Sequence, residues 1–325
     1  KIIICVFYGS DERPHYLSGV SAELPYEIDA KWYADRSAEQ KSMLTKVARS
    51  ADYIVSHPLS SQFQQRLALG LLSLGLPQPS PAFSGTRHRS SDLSGTRHRS
   101  SGLSGNGDRS SGVRVLHAPS RPLSKGTDII REIIAKLVTE GIAIDFVEIT
   151  GRPNSEVLEE IAKSDFVIDE VWSDSPLAMF AAEAAAAGKP AVVGGYGWCE
   201  LKKILGEAFP PSMACAPDEL EGAIRELATN ESLRDELGKK AHDFVTAEWS
   251  SRRVAERYLK VLTDGGEQEW YFDPYSVNYS LGYGMPLDKV GSTVRMVVEN
   301  AGVESLQLGD KPDLLKSVLS TAGMS

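Results

Sequence analysis

Arg121 and Lys125 stand four residues apart in the segment His117–Asp128, HAPSRPLSKGTD. A short apolar run, Arg114–His117, precedes them, and a helical pattern opens at Gly126 and Thr127. The start of a helix presents unpaired N–H groups and the positive end of its dipole, which suits phosphate. Arginine adds a planar fork of donors and lysine a point charge. Together they could neutralise a diphosphate without a metal. The same spacing fits a capped helix carrying two surface cations, and the residues alone do not separate these readings.

Glu183 is the second candidate. It is the only acid in the expected helix Pro176–Ala187, among Ala181, Ala182, Ala184, Ala185, Ala186, Ala187 and Gly188. Small neighbours let a ligand approach closely, and a carboxylate there can accept hydrogen bonds from a ribose diol. A lone glutamate on an alanine-rich helix more commonly faces solvent. His117, at a strand end, reads first as a buried, satisfied histidine. Gly194-Gly195-Tyr196-Gly197 follows a strand, but lacks the third glycine and the distant acid of a dinucleotide loop. Nucleotide-triphosphate, serine-hydrolase and zinc-protease motifs are missing from the sequence.

These residues need a frame. Strands are expected at Lys1–Tyr8, Asp52–Ser56, Arg114–His117, Ala143–Ile149, Asp165–Asp169 and Pro190–Val193. Helices are expected at Ser37–Arg49, Ser60–Leu74, Gly126–Glu140, Asn154–Lys163, Pro176–Ala187, Asp218–Leu227, Glu231–Glu248, Arg252–Leu262 and Asp288–Asn300. Strands separated by helices of this length imply βαβ units and parallel sheets covered on both faces, an α/β doubly wound architecture. Ligands of such sheets bind at the carboxyl ends of the strands. The expected organisation is a partial first domain (residues 1–83), a linker (84–112), a complete second domain (113–263) and a tail that docks back on the body (264–325). Trp270–Tyr283 is aromatic and glycine-interrupted and yields no sharper expectation.

The linker holds three copies of a ten-residue unit: SGTRHRSSDL, SGTRHRSSGL and SGNGDRSSGV. It is too polar to build its own core. Five arginines (Arg87, Arg89, Arg97, Arg99, Arg109) face two aspartates in it. A solvated expansion is the plainer reading and a nucleic-acid- or membrane-facing arm the sharper one. His88 and His98 belong to the unit and receive no role.

The whole chain of 325 residues carries a net charge of −9, which argues against a general nucleic-acid binder. Cys5, Cys199 and Cys215 match neither a zinc spacing nor a paired framework, so a reducing, cytoplasmic compartment is expected. Apolar runs are too short for a bilayer-spanning helix, and no signal peptide is seen. A chain whose first residues, from Lys1, already read as a buried strand suggests that residues precede it in the protein.

The order H-A-P-S-R-x-x-x-K-G-T-D, then a strand ending I-D-E, then E-A-x-A-x-G-K-P-x-V-V resembles the nucleotide-sugar domain of GT-B glycosyltransferases. It is most similar to the large retaining group, family 4-like, that includes bacterial polysaccharide and glycolipid enzymes. The resemblance covers about Arg114–Leu262. Upstream, Phe7–Arg13, FYGSDER, and the Ala51–Ser56 segment resemble parts of some members' acceptor domains.

The resemblance implies transfer of a sugar from a UDP- or GDP-linked donor to a saccharide, lipid or small-molecule acceptor, with retention and without a metal or other cofactor. It implies that Arg121 and Lys125 grip the donor diphosphate and Glu183 the ribose hydroxyls. Thr150 and Gly151 would lie near the base, and Leu177, Ala178, Met179 and Phe180 near the diphosphate and sugar. Gly9, Ser10 and Asp11 would face the interdomain cleft from the acceptor side. Members often work at the inner membrane face, so peripheral membrane contact stays open, although no basic amphipathic helix is seen here. The chain departs from the group at Ser175, where a second glutamate is common, with Asp174 beside it. The group's glycine-rich donor loop has no counterpart. A degenerate glycosyltransferase-fold scaffold, or a nucleotide-binding protein, is the alternative.

Overall fold

The computed structural model describes residues 1–9, 11–24, 27–78, 112–277 and 279–324. Ser10 and residues 84–111 of the repeat segment lie outside these. In chain order the described elements begin with β1 (Ile4–Val6), α1 (Ala30–Ser50), β2 (Tyr53–Ser56), β3 (Ala68–Gly70) and α2 (Leu71–Leu74). Then come β4 (Val113–His117), α3 (Pro122–Lys125), α4 (Thr127–Thr139), β5 (Ile144–Glu148), α5 (Asn154–Lys163), β6 (Phe166–Ile168), α6 (Met179–Ala186) and β7 (Ala191–Gly194). The chain continues through α7 (Trp198–Leu205), β8 (Met213–Cys215), α8 (Leu220–Thr229), α9 (Glu231–Glu248) and α10 (Ser251–Asp264). It ends with β9 (Tyr271–Phe272), α11 (Leu287–Ala301) and α12 (Pro312–Thr321).

Two sheets result. One has the order β1-β2-β3-β9, parallel except for the antiparallel β9, which pairs Phe272 with Ala68 and Tyr271 with Leu69. The other has the order β5-β4-β6-β7-β8 and is parallel throughout. The fold is therefore α/β with doubly wound parallel sheets, as the strand–helix alternation implies.

Side-chain caps set several helix starts. Asp29 accepts from the Trp32 N–H at 2.8 Å and begins α1 seven residues before the expected Ser37. Asn230 accepts from the Leu233 N–H at 3.0 Å and opens α9, which spans the expected Glu231–Glu248.

The expected helix Ser60–Leu74 does not form. A 3-10 turn at Ser61–Phe63, then β3, then the single turn α2 replace it. Its polar residues misled: Ser60, Ser61, Gln62 and Gln64 are buried. Gln62 Nε2 donates to the Tyr279 carbonyl at 2.6 Å, Gln64 Nε2 donates to Glu12, and Ser61 Oγ donates to the Pro58 carbonyl at 2.8 Å. With both faces covered, Ala68–Gly70 is more useful as a strand, and it pairs in parallel with Val55 and Ser56.

The two sheets share apolar packing. One buried cluster joins Leu59, Leu69, Leu72 and Leu74 of the first half to Leu177, Val193, Trp198 and Trp249 of the second. Trp249 is buried and donates its indole N–H to the Leu72 carbonyl at 3.3 Å. All three cysteines are free. Among the described residues no helix is long and apolar enough to cross a membrane.

Candidate functional site

β4 and β6 are neighbours; the connection leaving β4 runs to β5 on one side and the connection leaving β6 runs to β7 on the other, so a crevice opens at the carboxyl ends of β4 and β6. Two loops meet there: the one after β4, leading into α3, and residues 169–178 after β6. Gly126 has φ +71°, and a Cβ on it would stand 2.4 Å from a methyl of Val171. A Cβ on Gly194 would stand 2.4 Å from the Val171 carbonyl oxygen, and one on Gly195 2.3 Å from that of Ser173. These three glycines make room for the second loop. That gives the glycine cluster after β7 a packing role in place of a dinucleotide one. The Val171 N–H donates to the Lys125 carbonyl at 3.1 Å, and the Ser173 N–H to that of Gly194 at 2.8 Å.

Lys125 ends α3 with its ammonium 2.5 Å from Asp169 Oδ1 and 3.8 Å from Glu170 Oε2. Burial works against the ammonium, but the Asp169 and Glu170 carboxylates hold it charged, above the usual lysine range. Burial pushes the Glu170 carboxyl up, against the pull of Lys125. Asp169 Oδ2 and Glu170 Oε2 have no hydrogen-bond partner. Glu183 is half-buried and accepts from the Asn154 side-chain amide at 2.9 Å. Burial raises its pKa, the Asn154 bond opposes this, and the Asp169 charge adds to it. Lys125 and Glu183 thus both lie within the electrostatic reach of Asp169.

His117 is buried with both ring nitrogens paired, to the Ile168 carbonyl at 2.8 Å and to Thr127 Oγ1 at 3.0 Å. The carbonyl can only accept, so Nδ1 carries the proton and Nε2 accepts from the threonine hydroxyl. Burial lowers its pKa to about 4. The histidine fastens the first turn of α4 to β6 and stays neutral.

Arg121 is exposed, and its guanidinium makes no ion pair among the described residues. Its carbonyl accepts from the Lys125 N–H at 3.0 Å and so closes the α3 turn. Thr150 and Gly151 are exposed after β5, three to four residues before Asn154, with Gly151 at φ +65°. Leu177 is fully buried, Met179 is 48% exposed at the start of α6, and Ala178 and Phe180 flank it. In the first half of the chain, Gly9 turns with φ +81° and Asp11 is exposed, its carboxylate accepting from the Tyr8 N–H at 3.4 Å.

No protein-family model matches the chain, and no curated protein matches it. Among solved structures it is similar to sucrose-phosphate synthase from Thermosynechococcus elongatus, with TM-score 0.45, 14% identity, and 80% of this chain and 66% of that one covered. It is similar to S. aureus TarM in complex with Fondaparinux, alpha-GlcNAc-glycerol and UDP, with TM-score 0.43, 12% identity, and 70% and 47% covered. It is also similar to the glycosyltransferase SnogD from Streptomyces nogalater, with TM-score 0.31, 14% identity, and 72% and 79% covered. The chain spans just under two-thirds of the synthase and about half of TarM. With every TM-score below 0.5, the fold class rests on the two sheets themselves.

Several residues that shape the crevice escape the motif reading. Glu23, from the first half, accepts from the Ser124 N–H at 2.9 Å and from Ser124 Oγ at 3.1 Å, so a carboxylate already sits on the α3 turn. Asp174, next to Ser175, forms a buried ion pair with Arg13 and accepts from the Tyr279 hydroxyl at 3.1 Å. Tyr283 is raised by Glu170 and by burial, with Lys125 opposing. Arg13 ends the FYGSDER run, and Tyr279 and Tyr283 lie in the aromatic tail, so each sat in a segment the sequence had marked without showing its partner.

Proposed function

We propose that the chain is a GT-B-type glycosyltransferase that takes a nucleotide-diphosphate sugar and transfers its sugar to a saccharide, lipid or small-molecule acceptor. The observation that supports this most is the Lys125–Asp169 ion pair at the switch point of a parallel sheet, four residues from the exposed Arg121 and on the loop that leads into α6, where Glu183 is half-buried. In this reading Arg121 and the start of α4 receive the diphosphate, and Lys125 turns from Asp169 towards it. Glu183, with Asn154 behind it, accepts from the ribose hydroxyls. Thr150 and Gly151 border the base, and Met179 and Phe180 border the sugar. Gly9, Ser10 and Asp11 belong to the acceptor side. As the glycosidic bond breaks, negative charge grows on the leaving diphosphate, and preorganised cations and N–H groups stabilise it. No protein nucleophile is assigned, and transfer with retention follows if the acceptor attacks from the leaving-group face.

A second reading has its own support. Lys125 already faces two carboxylates, and Glu23 occupies the α3 turn. A degenerate scaffold of the same fold would show both. Calorimetry with UDP and GDP on the full chain separates the readings in part. Binding that Arg121→Ala and Glu183→Gln weaken supports the donor site, and absence of binding leaves the scaffold. Turnover of a nucleotide-sugar panel then decides for the enzyme.

A further inference from the structure

Loop 169–178 carries Asp169, which holds Lys125, and leads directly into α6 with Glu183. It has no regular structure of its own. On its inner side Gly126, Gly194 and Gly195 define where it fits. Its tip is held from elsewhere. Arg13, fully buried, sends Nη2 to Asp174, to the Leu59 carbonyl at 3.0 Å and to Ser60 Oγ at 3.2 Å. Its Nη1 donates to the Leu281 carbonyl at 2.6 Å. The guanidinium lies 6.0 Å from the Phe63 ring centre and 5.7 Å from that of Tyr279. One side chain therefore bonds three separate segments: the loop after β2, the tail between β9 and α11, and the tip of the crevice loop. Tyr279 adds its hydroxyl to the same carboxylate. Inside the loop, Ser173 Oγ donates to the Ser175 carbonyl at 2.9 Å and accepts from the Ser175 N–H at 3.1 Å, which links the anchored tip to the turn before α6.

We propose that Arg13 is a positioning residue: through Asp174 it sets the place of loop 169–178, and so of the Lys125–Asp169 pair and of the start of α6. The function assigned to that place rests on the donor-site reading above. A fork of fixed donors bonded to two carbonyls, a hydroxyl and a carboxylate tolerates little displacement of any of them. The first half of the chain therefore fixes the geometry of a crevice that the second half builds.

The test is hydrogen exchange, resolved by peptide, on the full chain carrying Arg13→Gln, Asp174→Asn or Tyr279→Phe. Tyr279→Phe removes one hydroxyl and keeps the ring, so it stays informative if the other two variants fail to fold. The expected result is faster exchange across 170–176, by about tenfold for Asp174→Asn and less for Tyr279→Phe, with β6 and β7 protected as in the wild type. In an active preparation, kcat falls by roughly tenfold while donor KM changes less, as for an interaction with charge that develops on the leaving group. Unchanged exchange in 170–176 for Tyr279→Phe and Asp174→Asn overturns the proposal, as does a rise spread evenly over both sheets. If the wild type binds neither UDP nor GDP, the donor-site reading fails, and the exchange pattern still decides whether Arg13 holds the loop.

Discussion

The two cations of the β4 loop differ in what surrounds them, so their substitution has different consequences. Arg121 is exposed and has no ion pair among the described residues, so Arg121→Ala should change stability by no more than about 0.5 kcal/mol. If it stabilises the leaving diphosphate, turnover should fall by roughly 10²–10³-fold, the loss typical of one preorganised donor. A steady-state assay beside a urea midpoint measures both, and normal turnover would remove Arg121 from the site. Lys125→Ala instead leaves two buried carboxylates without their counter-ion, at a cost of about 3–5 kcal/mol, so its loss of activity would not be specific. His57 offers a separate test of the buried seam. It accepts from the Leu59 N–H at Nδ1, has no partner at Nε2, and burial together with Arg13 lowers its pKa to about 3. The folded pKa lies below the unfolded value of 6.5, so its contribution is complete above that pH and is lost as pH falls towards 3. Between pH 6.5 and 4.5 the wild type should lose about 2 kcal/mol more than His57→Gln. Glu12 works in the opposite sense. Burial raises it to about 7, so its contribution declines as pH rises from 4.5 to 7. Urea unfolding of wild type and His57→Gln across this range would show converging stabilities; parallel profiles would mean that the histidine is not held neutral.

Helices and strands were legible where the physical cause is local. Asn154–Lys163 and Glu231–Glu248 were read to the residue, because an amphipathic stripe closes at a recognisable cap or breaker. Strands β4 to β7 were read to within two residues, because short apolar runs alternate with helices of regular length. The failures have a non-local cause. β3 depends on β2 and β9 on either side of it, and its polar approach is satisfied by Tyr279 and Glu12, distant in sequence. β8, α7 and α12 went unread, as did β9, whose two residues pair only with β3. The glycines of the crevice were visible as letters, and the close approach that needs them was not. That approach can be tested by contrast. Gly126→Ala places a Cβ at φ +71° and 2.4 Å from Val171, and should cost at least about 1–3 kcal/mol. Gly222→Ala, in α8 with nothing within 4 Å, should stabilise by roughly 0.5–1 kcal/mol. Denaturant midpoints of the two variants should move in opposite directions; a tolerated Gly126→Ala would mean that the loops do not meet as described.

The residues proposed for the donor side stand in sequence order within one half of the chain, so they could be picked out as a motif. Their partners Arg13, Glu23, Tyr279 and Tyr283 come from the other half and the tail, and no spacing could have paired Arg13 with Asp174 across 161 positions. The same long reach governs stability. The tail supplies β9 to the first sheet, its residues Val277 and Tyr279 join the shared buried cluster, and Trp249 closes on Leu72. Leu59 shows how closely the halves meet: a Cβ on Gly197 would come within 2.2 Å of its methyl. Halves joined in this way should unfold together, unlike domains connected by a polar, separable interface. Unfolding in urea should therefore give one transition, with tryptophan fluorescence and far-ultraviolet circular dichroism coinciding. Leu59→Ala, at a fully buried position, should shift both signals equally, by about 2–5 kcal/mol. Two separated transitions, of which Leu59→Ala moves only one, would mean that the sheets are independent units. The anchoring of the crevice loop by Arg13 would then be a contact between separable bodies, able to release without unfolding either.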